Sequence, residues 1–236
     1  MGRRHRSPVR SASCRETGPR QVDDPRRVVI NNKRLFVYAA RPMTRTLRAP
    51  RADNRLPQLL DEAARLFRAQ GFHGTSIREI VRAVDMLPGS IYYHFAAKDD
   101  LLLAVYAEGV RRIAERVKAA IDNRNEPWDR LEAACVAHLE ALLEGGDYAQ
   151  VVIRVRPGDV ASVAPQLVDL RDGYERLFVD LVAALPVRRG TDRRSLRLML
   201  LGALNWSQTW YRSGHDDPHA IARHFVGLLR TPAKQE

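Results

Sequence analysis

Residues 88–95, PGSIYYHF, place a serine hydroxyl, two phenol hydroxyls and an imidazole within a few positions of one another. These groups bond to phosphate oxygens and to the edges of bases, and short side chains at the start of a helix can reach both. Aromatic residues make up only 7% of the chain, so their concentration here calls for an explanation. The segment is therefore a candidate surface for contact with nucleic acid.

A second arrangement could support catalysis. Cys135 and His138 are spaced one helical turn apart, so the thiol could act as a nucleophile and the imidazole as its base. No third orienting group and no oxyanion site is evident nearby. The sequence therefore predicts a buried structural cysteine and a protein that is not an enzyme.

Histidines and aspartates near the C-terminus suggest a metal site, formed by His215, Asp216, Asp217, His219 and His224. Their spacing is equally explained if Asp216 or Asp217 caps a helix that has Pro218 at its first position. The chain also lacks the glycine patterns of nucleotide-binding loops. We therefore expect no metal and no cofactor.

The elements that position residues 88–95 follow from apolar periodicity. A first helix begins at Leu56 and ends at Gly71; a second is capped by Thr75 or Ser76, with Glu79 completing a capping box. Pro88 suits the first turn of a third helix, two turns long. A fourth, longer helix begins at about Lys98.

Three helices in about forty residues, the last two joined by a short turn, match the helix-turn-helix arrangement. Ile91 and Phe95 are predicted to point into the core. Adjacent helix positions differ by about 100°, so Tyr92 and Tyr93 cannot both share the orientation of Phe95. The alternative is that the tyrosines complete the core.

The strings TSIREIVRAV, PGSIYYHF and KDDLL, in this order and spacing, resemble the DNA-binding domain of TetR-type bacterial transcriptional regulators, from about Leu56 to Leu102. The resemblance implies an all-α homodimer that binds palindromic double-stranded operator DNA and is released by a small-molecule effector. By transfer from matching positions, the DNA-binding residues would be Thr75, Ser76, Pro88, Gly89, Ser90, Tyr92, Tyr93, His94 and Lys98.

Three positions depart from the family pattern. Asp85 replaces a usual Gly, and Asp tolerates a left-handed turn position. Pro88 replaces a common Lys and removes one phosphate contact. Ala97 replaces a usual Ser cap, at a cost of about 1 kcal/mol, partly offset by Asp99 and Asp100 near the positive end of the fourth helix.

Four helical runs are predicted beyond residue 123: about 128–144, 165–185, 193–212 and 218–230. By resemblance, the last two long helices form the dimer interface. The string ALNWSQTWYRSG is similar to a subgroup that senses lipid-derived, aromatic or CoA-linked acids. The candidate effector-binding residues are Trp206, Trp210, His138 and Arg154. The alternative is that the tryptophans are core or dimer anchors.

The composition of the chain limits the classes of protein that fit these expectations. The 236-residue chain is 45% hydrophobic, with no apolar run long enough to span a membrane, and its two cysteines fit a reducing cytoplasm. Residues 1–42 carry eleven Arg or Lys against three acidic residues, which leaves +3 of the net +11 for the remainder. We predict a basic, disordered N-terminal extension over residues 1–52, with Met43 as an alternative start. A DNA-binding domain (53–97) and a ligand-binding and dimerisation domain (98–236) follow.

The basic extension supports a further class, a protein that coats DNA without sequence preference. Binding by such a protein would depend on residues 1–42 and would select no site. A helix-turn-helix regulator would still select a palindrome without them.

Overall fold

A computed structural model describes residues 55–230 of the chain, and within that range every regular element is a helix. The all-α prediction is confirmed. Eight α-helices follow in order: α1 (Leu56–Gly74), α2 (Ile77–Ala83), α3 (Lys98–Ile121), α4 (Pro127–Leu143), α5 (Asp147–Arg154), α6 (Ala164–Ala183), α7 (Arg193–Trp206) and α8 (Pro218–Leu229). Three short 3₁₀ helices, Ile91–Tyr93, Pro157–Asp159 and Ser207–Thr209, lie between them. The predicted extension at residues 1–52, with its alternative start at Met43, lies outside the described range.

Helix α1 contains a break where the sequence predicts its end. Gly71 has φ 77° and ψ 164°, a conformation that side-chain-bearing residues rarely adopt. The chain turns at Gly71 and then completes a further short stretch to Gly74. Phe72 and His73 therefore project from a bend rather than from a straight helix.

The predicted capping box at the start of α2 is confirmed. The Ser76 hydroxyl accepts a hydrogen bond from the Glu79 N–H at 3.2 Å, and the Glu79 carboxylate accepts one from the Ser76 N–H at 2.8 Å. Asp85, after the end of α2, has φ 51°. The prediction that Asp occupies a left-handed turn position here is also confirmed.

The predicted third helix is shorter than expected. Pro88 and Gly89 lie in turns, and only Ile91–Tyr93 is helical, as a single 3₁₀ turn. Ile91 and Phe95 are nevertheless both buried, as predicted. A segment this short has few internal backbone bonds, so its position depends on these two apolar anchors.

The predicted fourth helix is α3. Its cap residue Ala97 has no side-chain acceptor, and the carboxylate of Asp100 instead accepts the Ala97 N–H at 3.1 Å. Acidic residues in this first turn also match the helix dipole.

One apolar core joins the first three helices to elements beyond them. It contains buried residues of α1 and α2, the anchors Ile91 and Phe95 and the first half of α3, and it continues through Tyr148, Val151 and Leu167 of α5 and α6. The predicted boundary between residues 97 and 98 coincides with the start of α3, but packing is continuous across it. A displacement of α5 or α6 would therefore be transmitted to the helix-turn-helix segment through this shared core.

The C-terminal half differs from the prediction in two places. Helix α5 was not predicted, and α7 ends at Trp206 instead of continuing to residue 212. A second core packs the end of α3 against α4, α6, α7 and α8 around Phe178, Leu139 and Leu204. Among the helices of residues 55–230, none is long and apolar enough to cross a bilayer.

Candidate functional site

The segment from Leu87 to His94, here called the aromatic turn, carries an exposed surface. Leu87, Tyr92 and Tyr93 are 76%, 60% and 81% exposed, whereas Ile91 is fully buried beneath them. Large side chains with this much exposed apolar area are candidates for contact with a partner. The structure thus favours the display of the tyrosines over the alternative in which they complete the core.

Backbone hydrogen bonds define the shape of the aromatic turn. The Ser90 N–H donates to the Leu87 carbonyl at 2.9 Å, and the His94 N–H donates to the Ile91 carbonyl at 2.9 Å. The His94 ring meets the Tyr93 ring edge-on, with centroids 6.3 Å apart. Pro88 and Gly89 are exposed at the tip, and Ser90 is half-buried.

Leu87 was not among the predicted contacts. In the sequence it lies within a mostly apolar stretch, MLPGSI, so its type suggests a core residue. Only the fold shows that Met86 takes the buried position and leaves Leu87 in solvent.

Thr75, one of the predicted phosphate contacts, is buried in the structure. It is 2% exposed, and its hydroxyl bonds to the Gly71 carbonyl at 2.8 Å and to the Leu66 carbonyl at 3.2 Å. These bonds tie the Thr75 side chain to the last part of α1. Ser76 is exposed beside it, but its hydroxyl forms the cap of α2.

Lys98 is also engaged by the protein. Its ammonium donates to the Phe72 carbonyl at 2.8 Å and to the Thr75 carbonyl at 2.9 Å, and it lies 4.3 Å from the centre of the Phe72 ring. Two of its three N–H groups are therefore used to tie α3 to the α1–α2 connection. In the structure its ammonium contacts backbone carbonyls; a phosphate contact by Lys98 stays a prediction.

The four predicted effector-binding residues do not converge. His138 is buried; its Nε2–H donates to Asn205 Oδ1 at 3.0 Å, and the Tyr174 hydroxyl donates to its Nδ1 at 2.6 Å. In this pairing the ring is neutral, and burial favours that form because it lowers the His138 pKa below its usual value. The imidazole is a structural link, not an exposed anchor for an anion.

The tryptophans lie elsewhere. Trp206 is 67% exposed at the end of α7, and Trp210, after the helix, meets the Phe225 ring edge-on at 6.5 Å between centroids. Arg154 ends α5, donates to the Arg68 carbonyl at 3.1 Å and borders a groove lined by neither tryptophan nor by His138. Trp210 lies beyond the end of α7 at Trp206, so the two tryptophans are not on one continuous helix.

The alternative catalytic and metal arrangements have structural explanations. Cys135 is fully buried, burial raises the pKa of its thiol, and both ring nitrogens of His138 already have partners. Asp217 caps α8, accepting the N–H groups of His219 and Ala220. Over residues 55–230, no group of three metal-ligating side chains is placed to hold an ion.

Helices α1 and α2, the exposed aromatic turn after them and the helical region beyond define a helix-turn-helix DNA-binding protein with a C-terminal helical domain. The family model described as "Bacterial regulatory proteins, tetR family" matches residues 59–105, and that described as "Tetracyclin repressor-like, C-terminal domain" matches residues 124–231. The chain belongs to the TetR family of DNA-binding transcriptional regulators, which is a family of regulators and not of enzymes.

Proteins of known name are similar to this chain in sequence and in fold. The transcriptional repressor KstR2 of Mycobacterium tuberculosis is 26% identical over 174 residues, which cover 70% of this chain and 86% of that protein. A crystal structure described as superantigen PfiT is 28% identical, covers 75% of this chain and 96% of that one, and gives a TM-score of 0.67. AibR, solved with isovaleryl coenzyme A and operator DNA, is 23% identical, with coverages of 74% and 97% and a TM-score of 0.62. The AibR likeness shows the shared fold.

Proposed function

We propose that the chain is a ligand-responsive repressor that binds a palindromic operator as a homodimer and is released by a small organic acid. The observation that carries this proposal is the aromatic turn: Tyr92 and Tyr93 exposed above buried Ile91, within a segment matched by the TetR DNA-binding model. Such a surface fits the groups that recognition elements present to DNA.

The proposed DNA contacts come from the exposed part of the predicted set. Phenol hydroxyls and the imidazole would bond to phosphates and base edges, while Gly89 permits close approach of the backbone. Leu87 adds an apolar contact suited to a thymine methyl group. The proposed set is Ser76, Pro88, Gly89, Ser90, Tyr92, Tyr93, His94 and Leu87.

The dimer is proposed to form through α7 and α8. Leu198, Met199 and Trp206 of α7 and Leu228 of α8 are exposed apolar side chains, and exposed apolar area of this kind is characteristic of subunit interfaces. Two aromatic turns would then enter successive major grooves about 34–36 Å apart, so operator symmetry would mirror dimer symmetry.

The effector is proposed to act by changing that separation. AibR was solved with isovaleryl coenzyme A, which supports the lipid-derived, aromatic or CoA-linked acids that the sequence favours. To release DNA, the ligand must bind better to the state with the wrong spacing. A coupling free energy of about 1–3 kcal/mol would change DNA affinity about 5–150-fold.

Selection of DNA by the full chain tests the proposal. The purified protein is incubated with genomic fragments of its source organism at physiological salt, and the retained fragments are sequenced. Enrichment of a palindrome supports a sequence-specific regulator. Retention without a preferred sequence that disappears when residues 1–42 are deleted would instead support the DNA-coating protein.

Tyr93→Ala then tests the site itself. Because Tyr93 is almost fully exposed, the thermal midpoint of unfolding should stay unchanged. We expect the operator dissociation constant, measured by fluorescence anisotropy, to rise about tenfold or more, since a direct DNA contact contributes about 1–3 kcal/mol. Tyr93→Phe separates the hydroxyl from the ring. An unchanged affinity for Tyr93→Ala would remove the aromatic turn from the interface.

A further inference from the structure

Helix α5 attaches the helix-turn-helix segment to the C-terminal half independently of α3. Besides α2 and α3, the main packing partner of α1 is α5. Helix α5 also packs against α4, and α4 packs against α8, one of the proposed dimer helices. The first three helices therefore have two attachments to the C-terminal half, one through α3 and one through α5. A body attached along one helix can swing about it, whereas two attachments fix its angle.

Polar contacts hold α5 against α1 at both ends of α5. Near its start, the Tyr148 hydroxyl donates a hydrogen bond to Asp61 Oδ1 at 2.9 Å, and Asp147 pairs with Arg68 at 2.7 Å. At its end, Arg154 donates to the Arg68 carbonyl at 3.1 Å. Asp61 and Arg68 are two helical turns apart, so they lie on one face of α1. This face of α1 is thus bonded to both ends of α5.

Tyr148 contacts α1 and α3 at the same time. It is buried, and the Arg112 guanidinium of α3 lies over its ring, 4.0 Å from the ring centroid. Its carbonyl oxygen packs against Gly109 of α3, where a side chain would have no room. One residue of α5 therefore bonds to α1 through its hydroxyl and packs on α3 through its ring and its backbone.

Arg112 completes the contact between the three helices. Its Nε–H donates to Glu108, one turn earlier on α3, at 2.7 Å, and its guanidinium lies 3.7 Å from Asp61 Oδ1. Asp61, Arg112 and Tyr148 are here called the α1–α3–α5 junction. An ion pair at an exposed position contributes little to stability. We therefore expect the hydrogen bond from the buried Tyr148 to be the main polar contact of the junction.

We infer that Tyr148 is a positioning residue for DNA recognition: by joining α5 to α1 and α3, it holds the aromatic turn at one angle to α7 and α8. In the homodimer, that angle sets the separation of the two aromatic turns and hence the half-site spacing that an operator must have. The inference deepens the proposed function, on which its consequence for DNA rests. Loss of the Tyr148 hydroxyl would loosen the second attachment and let the angle vary.

Operators of altered spacing test this role. One base pair inserted at the centre of the selected palindrome separates the half-sites by about 3.4 Å more and rotates one against the other by about 35°. In fluorescence anisotropy, we expect the insertion to weaken binding by the unmodified chain about tenfold or more, and binding by Tyr148→Phe about threefold or less. Tyr148→Phe keeps the ring beneath Arg112 and removes only the hydroxyl.

Tyr106→Phe is the matched control for this measurement. Tyr106 is a buried tyrosine of α3 in the same core, and its hydroxyl makes no hydrogen bond within residues 55–230. The operator with the inserted base pair should therefore bind Tyr106→Phe as poorly as it binds the unmodified chain.

A distance measurement without DNA tests the same junction. Spin labels are attached at Arg78→Cys on α2 and Arg176→Cys on α6, both exposed, in the full chain carrying Cys14→Ser, whose other cysteine is buried. Labelled chain is diluted with unlabelled chain, so that each distance lies within one chain. Pulsed electron paramagnetic resonance should give a narrow distance distribution, which Tyr148→Phe should broaden. Asp61→Ala removes the acceptor at an exposed position and should broaden the distribution in the same way.

An unchanged distance distribution in both variants would overturn the inference. A spacing penalty as large in Tyr148→Phe as in the unmodified chain would also overturn it, and a lowered thermal midpoint alongside that penalty would make Tyr148 a structural residue only. If the chain selects no palindrome, the repressor proposal fails, and the distance distributions alone decide whether the junction holds the angle. A chain that selects a palindrome but shows neither effect remains a repressor without this role for Tyr148.

Discussion

At the scale of single residues, groups that bind phosphate can equally satisfy the backbone. The Thr75 hydroxyl and the Lys98 ammonium both bond to carbonyls at the end of α1. One of them, the Phe72 carbonyl, also accepts the Thr75 N–H beside the bend of the chain at Gly71. Donors placed in this way organise the DNA-binding segment from within.

Lys98→Met is predicted to weaken folding more than it changes the salt dependence of DNA binding. It keeps the hydrocarbon stem and removes two charged hydrogen bonds, so the free energy of unfolding should fall by about 1–3 kcal/mol. Urea denaturation measures this. Lys118→Met, at an exposed position of the same helix, should have little effect. Unchanged stability together with a salt slope reduced by about one unit would instead establish Lys98 as a phosphate contact.

Residue types alone predicted the local features of this region. The Ser76–Glu79 box, the turn at Asp85 and the inward Ile91 and Phe95 depend on neighbours a few positions away. The partners of Lys98 lie 26 and 23 residues earlier in the chain. Whether a lysine meets solvent, phosphate or such carbonyls depends on tertiary packing, which local spacing does not specify.

At the scale of elements, a polar chain centred on the buried His138 joins three helices of the C-terminal half. His138 of α4 bonds to Tyr174 of α6 and to Asn205 of α7, and its ring stacks on Tyr174 with centroids 5.8 Å apart. Hydrogen bonds that satisfy a buried polar group fix the register of the elements that carry them. This network therefore holds α7, the proposed dimer helix, against the second core.

The stability that His138 provides is predicted to depend on pH. Its pKa is about 6.5 in the unfolded chain and is lowered by burial in the folded one. The unfolded state thus takes up the proton first as pH falls below about 6.5, so folding stability should decrease toward the lower folded pKa. His138→Gln removes this titration.

Urea denaturation at pH 7.5 and 5.0 measures the effect. At pH 7.5 the unmodified chain should be more stable than His138→Gln by about 1–3 kcal/mol, from its hydrogen bonds, and that margin should shrink at pH 5.0. His224→Gln, at an exposed position, should show no such change. A margin independent of pH would mean that burial does not lower the His138 pKa.

Helices α3 and α5 approach closely at Gly109. A Cβ there would lie 2.6 Å from Val152 Cγ2 and 2.8 Å from the Tyr148 carbonyl oxygen, and the carbonyl cannot move without its helix. Gly109→Ala should therefore destabilise the chain by about 1–3 kcal/mol despite the better helix propensity of Ala. Gly173→Ala on α6 meets nothing within 4 Å and should stabilise by about 0.5–1 kcal/mol. Thermal unfolding of both variants gives the comparison, and a stabilised Gly109→Ala would contradict the close packing.

At the scale of elements, the sequence predicts the presence of most helices but not where each one begins and ends. Helix α5 has only eight residues, several of them β-branched, so its periodicity was too brief to identify. Helix α7 ends early because the Ser207 and Thr209 hydroxyls bond to carbonyls three residues before them, in competition with the α-helical pattern. Because α7 ends at Trp206, Trp210 does not continue the helical face on which Trp206 lies. The spacing of apolar residues in the sequence does not show where this helix ends.

At the scale of the whole molecule, charge and apolar surface have different distributions. Most of the net charge of +11 lies in residues 1–42, and the remainder carries only +3. Specific DNA binding by the folded part must therefore depend on shape and on hydrogen bonds rather than on charge alone. In the proposed homodimer, the second subunit would supply a second, aligned recognition surface.

Leu228→Asp is predicted to separate the subunits. Leu228 is 68% exposed on α8, so the fold should tolerate a carboxylate, whereas an apolar dimer interface would bury it unpaired. Sedimentation at micromolar concentration should give a monomer, and operator affinity should fall at least tenfold because one aromatic turn can contact only one half-site. Leu87→Asp, an equally exposed leucine on the aromatic turn, should remain dimeric and lose operator binding alone. A dimeric Leu228→Asp with normal operator affinity would place the subunit interface away from this face of α8.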